Sequence, residues 1–265
     1  MKQRVDVWLT TRGMADSREK AQALIMAGLV YVGEKKVMKA SEQYAEDAPI
    51  QVRGGGQNAF ASRGGHKLEK AITAFEADVT GAVAMDIGAA TGGFTDVLLR
   101  HGADHVYAID VGYGQLDWKL RNDERVTVME RTNARNLTVE NFDRRPNLTV
   151  MDVSFISIKL ILPVAASIMG EAGRFLTLIK PQFEAGKGQV GKNGVVREKE
   201  THIRVLREIC TFCPSFGWHV ENLTFSPIKG PAGNIEFLAD VRPGEGREIS
   251  DEEIAELVNT AHREL

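Results

Sequence analysis

Hydrophobic residues follow two different spacings along the chain, and the spacing changes near residue 60. Beyond that point, short apolar runs alternate with segments of helical spacing. Strands are predicted at 83–86, 105–110, 126–129, 148–152, 174–180, 219–225 and 235–241, and helices at 94–100, 116–121, 158–169 and 198–212. This alternation predicts an α/β fold with a mainly parallel, doubly wound sheet. The last two strands are close in sequence, so we expect an antiparallel hairpin at the edge.

The first fifty residues have a different pattern, which predicts a small α+β unit. Helices are predicted from Val5 and from Ser17, and short strands at 30–32, 36–37 and 49–52. The run Arg-Gly-Gly-Gly-Gln-Asn at 53–58 contains no apolar residue and predicts a flexible linker that lets the flanking domains reorient. We therefore expect an N-terminal domain at 1–53, a glycine-rich linker at 54–60 and a second domain at 61–265.

Two further helices are predicted at the ends of the second domain. Leu68, Ala71, Ile72 and Phe75 give the first of them one apolar face. The second of these helices, at 250–258, begins with a capping serine that acidic residues follow. Acidic side chains of this kind are typical of a helix face exposed to solvent.

Charge is unevenly distributed, and this changes what the overall composition suggests. The 265 residues carry a net charge of −3, which by itself argues against a nucleic-acid partner. Residues 1–40, however, have a net charge of +4, whereas residues 244–265 have a net charge of −5. A protein that is acidic overall can thus present a basic face to phosphates. No apolar run is long enough to span a membrane and no signal peptide is visible, so we expect a cytoplasmic protein.

The chain has two cysteines, Cys210 and Cys213, which form a lone Cys-x-x-Cys pair. The pair falls late in a predicted helix rather than at its N-terminus, where a redox pair would be activated. A zinc site would need two more ligands, and only His202 and His219 lie near in sequence. We expect two half-buried thiols and no metal site.

A small-residue loop between the first strand of the second domain and its helix predicts a nucleotide-like ligand. The strand ends at Asp86, and Gly88, Gly92 and Gly93 let a ligand approach the backbone. Asp110, at the end of the next strand, is placed to hold ribose hydroxyls. The loop lacks both Gly-x-Gly-x-x-Gly and Gly-Lys-Ser/Thr, which disfavours pyrophosphate binding. The Asp-x-Gly-x-x-x-Gly-Gly pattern resembles the S-adenosylmethionine (SAM) loop of class I methyltransferases; a plain strand-to-helix turn is the alternative.

The N-terminal residues resemble the RNA-binding module named after ribosomal small-subunit protein four. The resemblance rests on Arg4-x-Asp6, Gly13, Ser17-Arg18, Ala21, Ile25-x-x-Gly28-x-Val30-x-Val32-Gly33 and Asp47-x-x-Ile50. It implies that basic side chains of a helix pair and a hairpin contact structured RNA, mainly through phosphates and shape. The side chains so implied are Arg4, Arg18, Lys20, Lys35, Lys36 and Lys39, and Arg63 of the second domain joins them as a further candidate. A small domain with ordinary solvated lysines is the alternative.

Polar residues at the predicted strand ends should converge on one crevice of an open α/β sheet. Asp152 and Lys180 are such residues, and Glu236 of the final hairpin and Lys67 of the helix that opens the second domain join them. The four lie in the runs Ser-Arg-Gly-Gly-His-Lys67, Asp152-Val-Ser-Phe, Lys180-Pro-Gln-Phe-Glu and Asn-Ile-Glu236. These runs resemble the Lys-Asp-Lys-Glu tetrad of FtsJ-type RNA ribose 2′-O-methyltransferases, and with the N-terminal module they resemble the haemolysin A-type (TlyA-like) subfamily. The resemblance implies a class I (Rossmann-like) SAM-dependent methyltransferase domain that acts on the ribose of cytidine in ribosomal RNA.

The resemblance also implies roles for the site residues. Lys180 is the expected proton acceptor and Asp152 its partner, although opposing charges around Lys180 leave its role as a base open. Lys67 and Glu236 are expected to position the substrate. The residues expected to bind SAM are Asp86, Gly88, Ala89, Ala90, Thr91, Gly92, Gly93, Phe94, Asp110, Asn133, Asp152 and Phe155. Phe155 could instead face the target base or the core, and the basic, glycine-rich segment 180–197 could act as a lid over RNA.

Three other functions are weighed against this one. A base methyltransferase usually has an Asn/Asp-Pro-Pro-Tyr-like clamp, but the segment from Asp152 to Phe155 contains no proline. A non-catalytic RNA-binding protein is disfavoured because all four tetrad positions are filled. The subfamily name suggests membrane lysis, but no membrane-active segment is visible. We expect ribosomal RNA or ribosomal subunits as partners, with neither membrane nor DNA involved.

Overall fold

The computed structural model describes residues 2–15, 17–26, 28–33, 35–45, 47–52, 60–186 and 188–265, without the side chain of Lys192. The chain divides into two compact units, Met1–Ala59 and Phe60–Leu265. Except for Phe60, the predicted linker at 54–60 lies outside the described residues, so the predicted linker and domain boundaries stay predictions.

The N-terminal unit packs two helices against short strands. Its elements are β1 (Lys2–Arg4), α1 (Val5–Thr11), α2 (Arg18–Met26), β2 (Val30–Val32), β3 (Lys35–Lys36), β4 (Gln43–Ala45) and β5 (Ile50–Val52). Strand β2 lies between β3 and β5, and β1 pairs antiparallel with β4. Val5, Leu9, Ala21 and Ile25 of the two helices are buried together with Val30. The two helices and the hairpin agree with the prediction, and the Ser17 side chain accepts a hydrogen bond from the Lys20 amide as an N-cap does.

A seven-stranded sheet forms the centre of the second unit. Its strands are β6 (Val83–Ile87), β7 (His105–Ile109), β8 (Val126–Met129), β9 (Leu148–Met151), β10 (Arg174–Ile179), β11 (Trp218–Phe225) and β12 (Phe237–Pro243). They lie in the order β11-β12-β10-β9-β6-β7-β8. The pairs among β6 to β10 are parallel, whereas β12 is antiparallel to both β10 and β11. This confirms the predicted parallel sheet with an antiparallel edge hairpin.

Helices cover both faces of this sheet. They are α3 (Gly65–Ala74), α4 (Gly93–Arg100), α5 (Trp118–Arg121), α6 (Leu162–Met169), α7 (Pro181–Glu184), α8 (Lys199–Phe212) and α9 (Asp251–Glu264). Alternate residues of a strand enter different cores: Met85 and Ile87 pack with α6, α8 and α9, whereas Ala84 packs with α3 and α4. Burial on both faces explains why these strands read as continuous apolar runs.

Strands β1 and β4 and helix α7 were not predicted, because elements of three or four residues are too short to show a period. The single helix predicted at 158–169 is divided into a 3-10 turn, Ile158–Leu160, and α6. Pro163 explains the division, since a proline lacks the amide that a continuous helix needs there and is tolerated only in the first turn.

None of the helices in the described ranges is both long and apolar enough to cross a membrane. The acidic C-terminal helix is amphipathic: it buries Ile254, Val258 and Ala261, and Ser250 and Glu253 close its N-terminus with a capping box.

Candidate active site

The strand order brings the predicted polar residues to one edge of the sheet. Asp86 lies near the end of β6, and Asp152 and Lys180 directly follow the parallel strands β9 and β10. Strand β12 runs in the opposite direction, and its first residue, Phe237, pairs with Ile179, the last residue of β10. Glu236, which precedes β12, therefore reaches the same edge as Lys180.

Lys67 joins this edge from the first turn of α3. Its ammonium lies 2.7 Å from Glu236 Oε2 and 3.3 Å from Asp152 Oδ2. Lys67 and Glu236 are both buried and lack stabilisation by water, so each charge is stabilised by the opposite charge of the other. The structure thus brings together all four residues of the predicted tetrad.

Lys180 completes the cluster by approaching the other oxygen of the same carboxylate. Its Nζ lies 2.5 Å from Asp152 Oδ1 and donates a hydrogen bond of 3.0 Å to Ser154 Oγ. Asp152 Oδ1 accepts no aligned hydrogen bond from the described residues, so its contact with Lys180 is an ion pair. One carboxylate therefore holds two lysines, and the cluster of two lysines and two acids is neutral.

The glycine-rich loop lies beside this cluster because Gly88 approaches the end of β9. Gly88 has a φ of +85°, and a Cβ there would lie 2.8 Å from the carbonyl oxygen of Asp152. Only glycine combines this backbone conformation with such a close approach. A Cβ on Gly92 or Gly93 would likewise meet Leu120 or Ser62, so the small size of these glycines serves packing of the loop within the protein.

Asp86, below that loop, is a fully buried carboxylate. Thr95 donates a hydrogen bond of 2.6 Å to Asp86 Oδ2, whereas Oδ1 accepts none from any residue that the structure describes. Burial raises the pKa of Asp86 to about 7. An unfilled acceptor beneath the loop fits the amino group of SAM.

Asp110, at the next strand end, connects the two loops that flank the predicted ribose position. It accepts hydrogen bonds from the amides of Ala90 (2.9 Å) and Gly112 (2.7 Å). A carboxylate has about four lone-pair sites, so it keeps capacity for ribose hydroxyls. Together with the unfilled acceptor of Asp86, this capacity makes the site fit SAM.

The other residues expected to bind SAM occupy different positions. Ala90 and Thr91 are exposed on the loop, whereas Ala89, Gly92 and Gly93 are buried in it. The Phe94 ring is buried in the core, which leaves only its backbone near the loop. Asn133 accepts hydrogen bonds from Arg135 as the cap of a 3-10 turn, Ala134–Asn136. Its contact with adenine stays a prediction.

Phe155 does not enter the core. Its side chain is 92% exposed, its φ is +64°, and its ring centre lies 5.2 Å from that of Phe183. A bulky residue in the left-handed region is strained, and such strain is concentrated at functional sites. The exposed ring thus directly follows Ser154, whose hydroxyl binds Lys180 of the tetrad.

In the N-terminal unit, a buried carboxylate organises two of the predicted RNA-binding arginines. Asp6 is fully buried, and Arg4 donates two hydrogen bonds to it, of 2.9 and 3.0 Å. Arg18 and Gln22 donate one each. These bonds hold the pKa of Asp6 well below its usual range, with Arg4 making the largest contribution. Arg4 and Arg18 nevertheless remain 42% and 56% exposed.

The remaining predicted RNA contacts lie on exposed positions. Lys35 and Lys36 form β3, Lys35 pairs with Glu42 at 3.5 Å, and Lys20 and Lys39 are exposed. In the second unit, Arg63 is exposed and donates a hydrogen bond to the carbonyl of Lys229. No RNA is present in the structure, so these contacts stay predictions.

Three polar residues at the site were not predicted. Ser154 binds Lys180, Thr95 binds Asp86, and Gln182 donates to Glu236 at 3.4 Å. Each lies within or beside a recognised sequence run. The partners of Ser154 and Gln182 are distant in sequence, so the runs alone could not reveal these two contacts, whereas Thr95 and Asp86 lie nine residues apart in the same run.

The two cysteines are shielded from solvent to different degrees. Cys213 is buried and Cys210 is half-buried, and burial raises their pKa values to about 12 and about 11.

In the segment 180–197, which is predicted to act as a lid, Lys187 lies outside the described residues. Asn234 binds the carbonyl of Gly194 and the amide of Val196. A lid function stays a prediction.

We expect Asp86 to make stability depend on pH. Its pKa rises from 3.8 to about 7 on folding, so the folded protein holds this proton more tightly than the unfolded chain. The stabilisation is fully present below pH 4 and is lost as the pH rises towards 7, by about 1.4 kcal/mol per pKa unit. Asp86→Asn keeps the acceptor for Thr95 and should abolish this loss. Denaturant unfolding from pH 4 to 8 measures the free energy of unfolding of both proteins. If this free energy changed with pH equally in both, Asp86 would not be the group responsible.

Comparison with known proteins agrees with this geometry. Residues 60–241 match the model of the FtsJ-like methyltransferase family, and residues 3–48 match the S4 domain. The Bacillus subtilis protein YqxC is 48% identical and is aligned over 100% of this chain and 95% of its own length. The 16S/23S rRNA (cytidine-2′-O)-methyltransferase TlyA of Mycobacterium tuberculosis is 43% identical, over 97% of this chain and 96% of its own.

A solved structure from Streptococcus thermophilus, provisionally described as a hemolysin, extends the likeness to three dimensions. It superimposes with a TM-score of 0.79 at 43% identity and covers 99% of this chain and 96% of its own. The match therefore includes both units. This chain belongs to the FtsJ-like methyltransferase family of SAM-dependent enzymes and carries an N-terminal S4 domain.

Proposed function

We propose that this protein transfers a methyl group from SAM to the ribose 2′-hydroxyl of a cytidine in ribosomal RNA. The observation that carries the proposal is the neutral cluster of Lys67, Asp152, Lys180 and Glu236 beside the glycine-rich loop. The name of the Mycobacterium tuberculosis relative supports cytidine as the acceptor.

The hydroxyl group needs a partner that takes its proton. SAM, when bound, supplies an electrophilic methyl group on a sulfonium. A ribose hydroxyl is a weak nucleophile, and its O–H bond must break as the new O–C bond forms. The methyl–sulfur bond breaks at the same time, and the donor leaves as a neutral thioether. Once its ammonium has released a proton to solvent, Lys180 accepts the hydroxyl proton at Nζ, while Asp152 and Ser154 fix the position of that nitrogen. Asp152 then stabilises the ammonium that results.

Lys67 and Glu236 hold this arrangement in place. Lys67 bridges Asp152 and Glu236, so three elements that are distant in sequence, α3, β9 and β12, are fixed around the ribose. Correct placement of a nucleophile can contribute as much as the proton transfer itself.

Phe155 provides a surface for the target base. An aromatic ring that is 92% exposed beside the catalytic lysine suits base stacking, which every nucleobase permits. The target nucleotide would leave its helix to reach the site, and the ring would replace part of the stacking that it loses.

The S4 domain holds the folded RNA. Arg4 and Arg18 each keep N–H donors beyond those that bind Asp6, and these can contact phosphates. Because the reaction consumes a 2′-hydroxyl, DNA is no substrate. A ribosomal substrate implies that the enzyme acts in the cytoplasm.

The test is transfer of tritium from methyl-labelled SAM to ribosomal subunits and to protein-free ribosomal RNA. Label should appear on the ribose of a cytidine, identified by nuclease digestion and chromatography. Label on a base would support a base methyltransferase instead. Binding of both SAM and RNA without transfer would support a non-catalytic RNA-binding protein.

We expect Arg18→Ala to weaken RNA binding through the loss of one phosphate contact. A plot of log affinity against log salt concentration should become shallower by about 0.7–0.9 per lost contact. Filter binding at several salt concentrations measures the slope. Arg125→Ala, which removes an arginine paired with Asp123 in the other unit, should leave it unchanged. An equal effect of both substitutions would mean that Arg18 acts only through net charge.

A further inference from the structure

The segment from Asp152 to Ile158 is fixed at both ends but protrudes in the middle. Its start is held by the amide of Asp152, which donates to the carbonyl of Ile87, and by the two lysines on the Asp152 carboxylate. Its centre carries the strained, exposed Phe155. A strained conformation persists only where the surroundings impose it, so the far end must also be held.

Glu184 holds that far end. Its Oε2 accepts a hydrogen bond of 2.6 Å from the Ser157 hydroxyl, and its Oε1 accepts one of 2.8 Å from the Ile158 amide. Burial raises the pKa of Glu184, so placing a carboxylate here opposes its ionisation. Because burying a carboxylate costs free energy, its presence here indicates that it fixes the local geometry rather than adding to overall stability.

Glu184 itself is placed by the strand that carries the proposed proton acceptor. It ends α7, which begins directly after Lys180 and also carries Phe183, the ring beside Phe155. Arg204 of α8 fixes the end of α7 by donating to the carbonyl of Ala185 at 3.0 Å. The carboxylate thus couples the segment after β9 to the segment after β10.

We propose that Glu184 is a positioning residue that holds Phe155 in place for the target nucleotide, without touching the substrate. This inference rests on the proposed function. Without both acceptors, Ser157 and Ile158 lose their anchor and the strain at Phe155 relaxes. The ring would then no longer stand over the site, while the SAM loop, which Glu184 does not contact, would keep its shape.

The experiment compares Glu184→Ala and Glu184→Gln with Phe155→Ala and the double variant Glu184→Ala/Phe155→Ala. We measure kcat and KM for RNA, the Kd of SAM and thermal unfolding. Loss of one stacking contact should reduce kcat/KM for RNA roughly 5- to 150-fold in Phe155→Ala. Glu184→Ala should show a similar loss with the Kd of SAM unchanged, and Glu184→Gln, which keeps one acceptor, should be intermediate.

The double variant gives the decisive result. If Glu184 acts through Phe155, the double variant should be no worse than Phe155→Ala, because the contact is already lost. Glu208→Gln is the matched control: Glu208 pairs with Lys159 and Arg204 in the same network but does not contact Ser157 or Ile158. It should retain wild-type kcat/KM.

Three outcomes would overturn the inference: multiplied effects in the double variant, a parallel loss of SAM affinity, or a loss in Glu208→Gln equal to that in Glu184→Ala. Failure of the proposed function itself is distinguishable, since the wild-type protein would then place no label on ribose. An active wild-type protein with unaffected Glu184 variants would refute only the positioning role.

Discussion

Lys180→Ala should abolish methyl transfer while leaving SAM binding intact. Lys180 directly follows β10 at the tetrad, and its ammonium contacts Asp152 and Ser154 rather than the glycine-rich loop. Loss of the proton acceptor should reduce kcat roughly 10²- to 10⁴-fold, the usual contribution of a general base. Transfer of tritium to ribosomal RNA measures kcat, and calorimetric titration measures the Kd of SAM.

Lys180→Arg separates proton transfer from positive charge. An arginine keeps the ion pair with Asp152 but cannot give up its proton, so this variant should be nearly as inactive as Lys180→Ala. Lys199→Ala, which removes a surface lysine bound to Asn259, is the matched control and should be fully active. Substantial activity in Lys180→Arg would show that the charge matters and the proton transfer does not.

Asp152→Asn should have the second largest effect, because this one carboxylate pairs with two lysines. Asparagine keeps one acceptor oxygen for two lysines and no charge. Lys67 keeps its ion pair with Glu236, but Lys180 keeps none, and the cluster changes from neutral to a net charge of +1. We expect kcat to fall by about 10²-fold or more as Lys180 loses its fixed position. Unfolding free energy should fall by about 1–3 kcal/mol, since a half-satisfied buried cluster is costly.

The control for this substitution is Asp104→Asn. Asp104 forms an exposed ion pair with Arg144, at 3.3 Å, and exposed pairs contribute little to stability. This variant should match the wild-type protein in activity and in denaturant unfolding. If Asp152→Asn were active and stable, the cluster would be a passive feature of the strand ends.

Lys180 carries out the chemical step itself, whereas Asp152, which follows another strand, sets the geometry of that step. Loss of activity without loss of stability in Lys180→Ala, together with loss of both in Asp152→Asn, would establish this division.

The sequence by itself determined most of the architecture. Strands buried on both faces read as apolar runs, and the helices between them have one apolar face, so local periodicity was enough to predict the doubly wound sheet. The glycine loop was visible because close backbone approach requires glycine, and the tetrad runs were recognised by their resemblance to those of FtsJ-type enzymes. The three-residue β1 and the break before α6 were missed, since a short polar strand has no period and Pro163 interrupts a helical pattern.

Only the tertiary structure decided which of these residues act together. Asp152 and Lys180 meet because β9 and β10 are parallel neighbours, and Glu236 joins them because the antiparallel β12 starts where β10 ends. The tertiary structure also placed the Phe94 ring in the core and Phe155 in solvent, although both are aromatic residues that follow a small residue, Gly93 or Ser154. The reason is physical: a sequence pattern reports the environment of each segment, whereas a contact between distant segments depends on strand order and register.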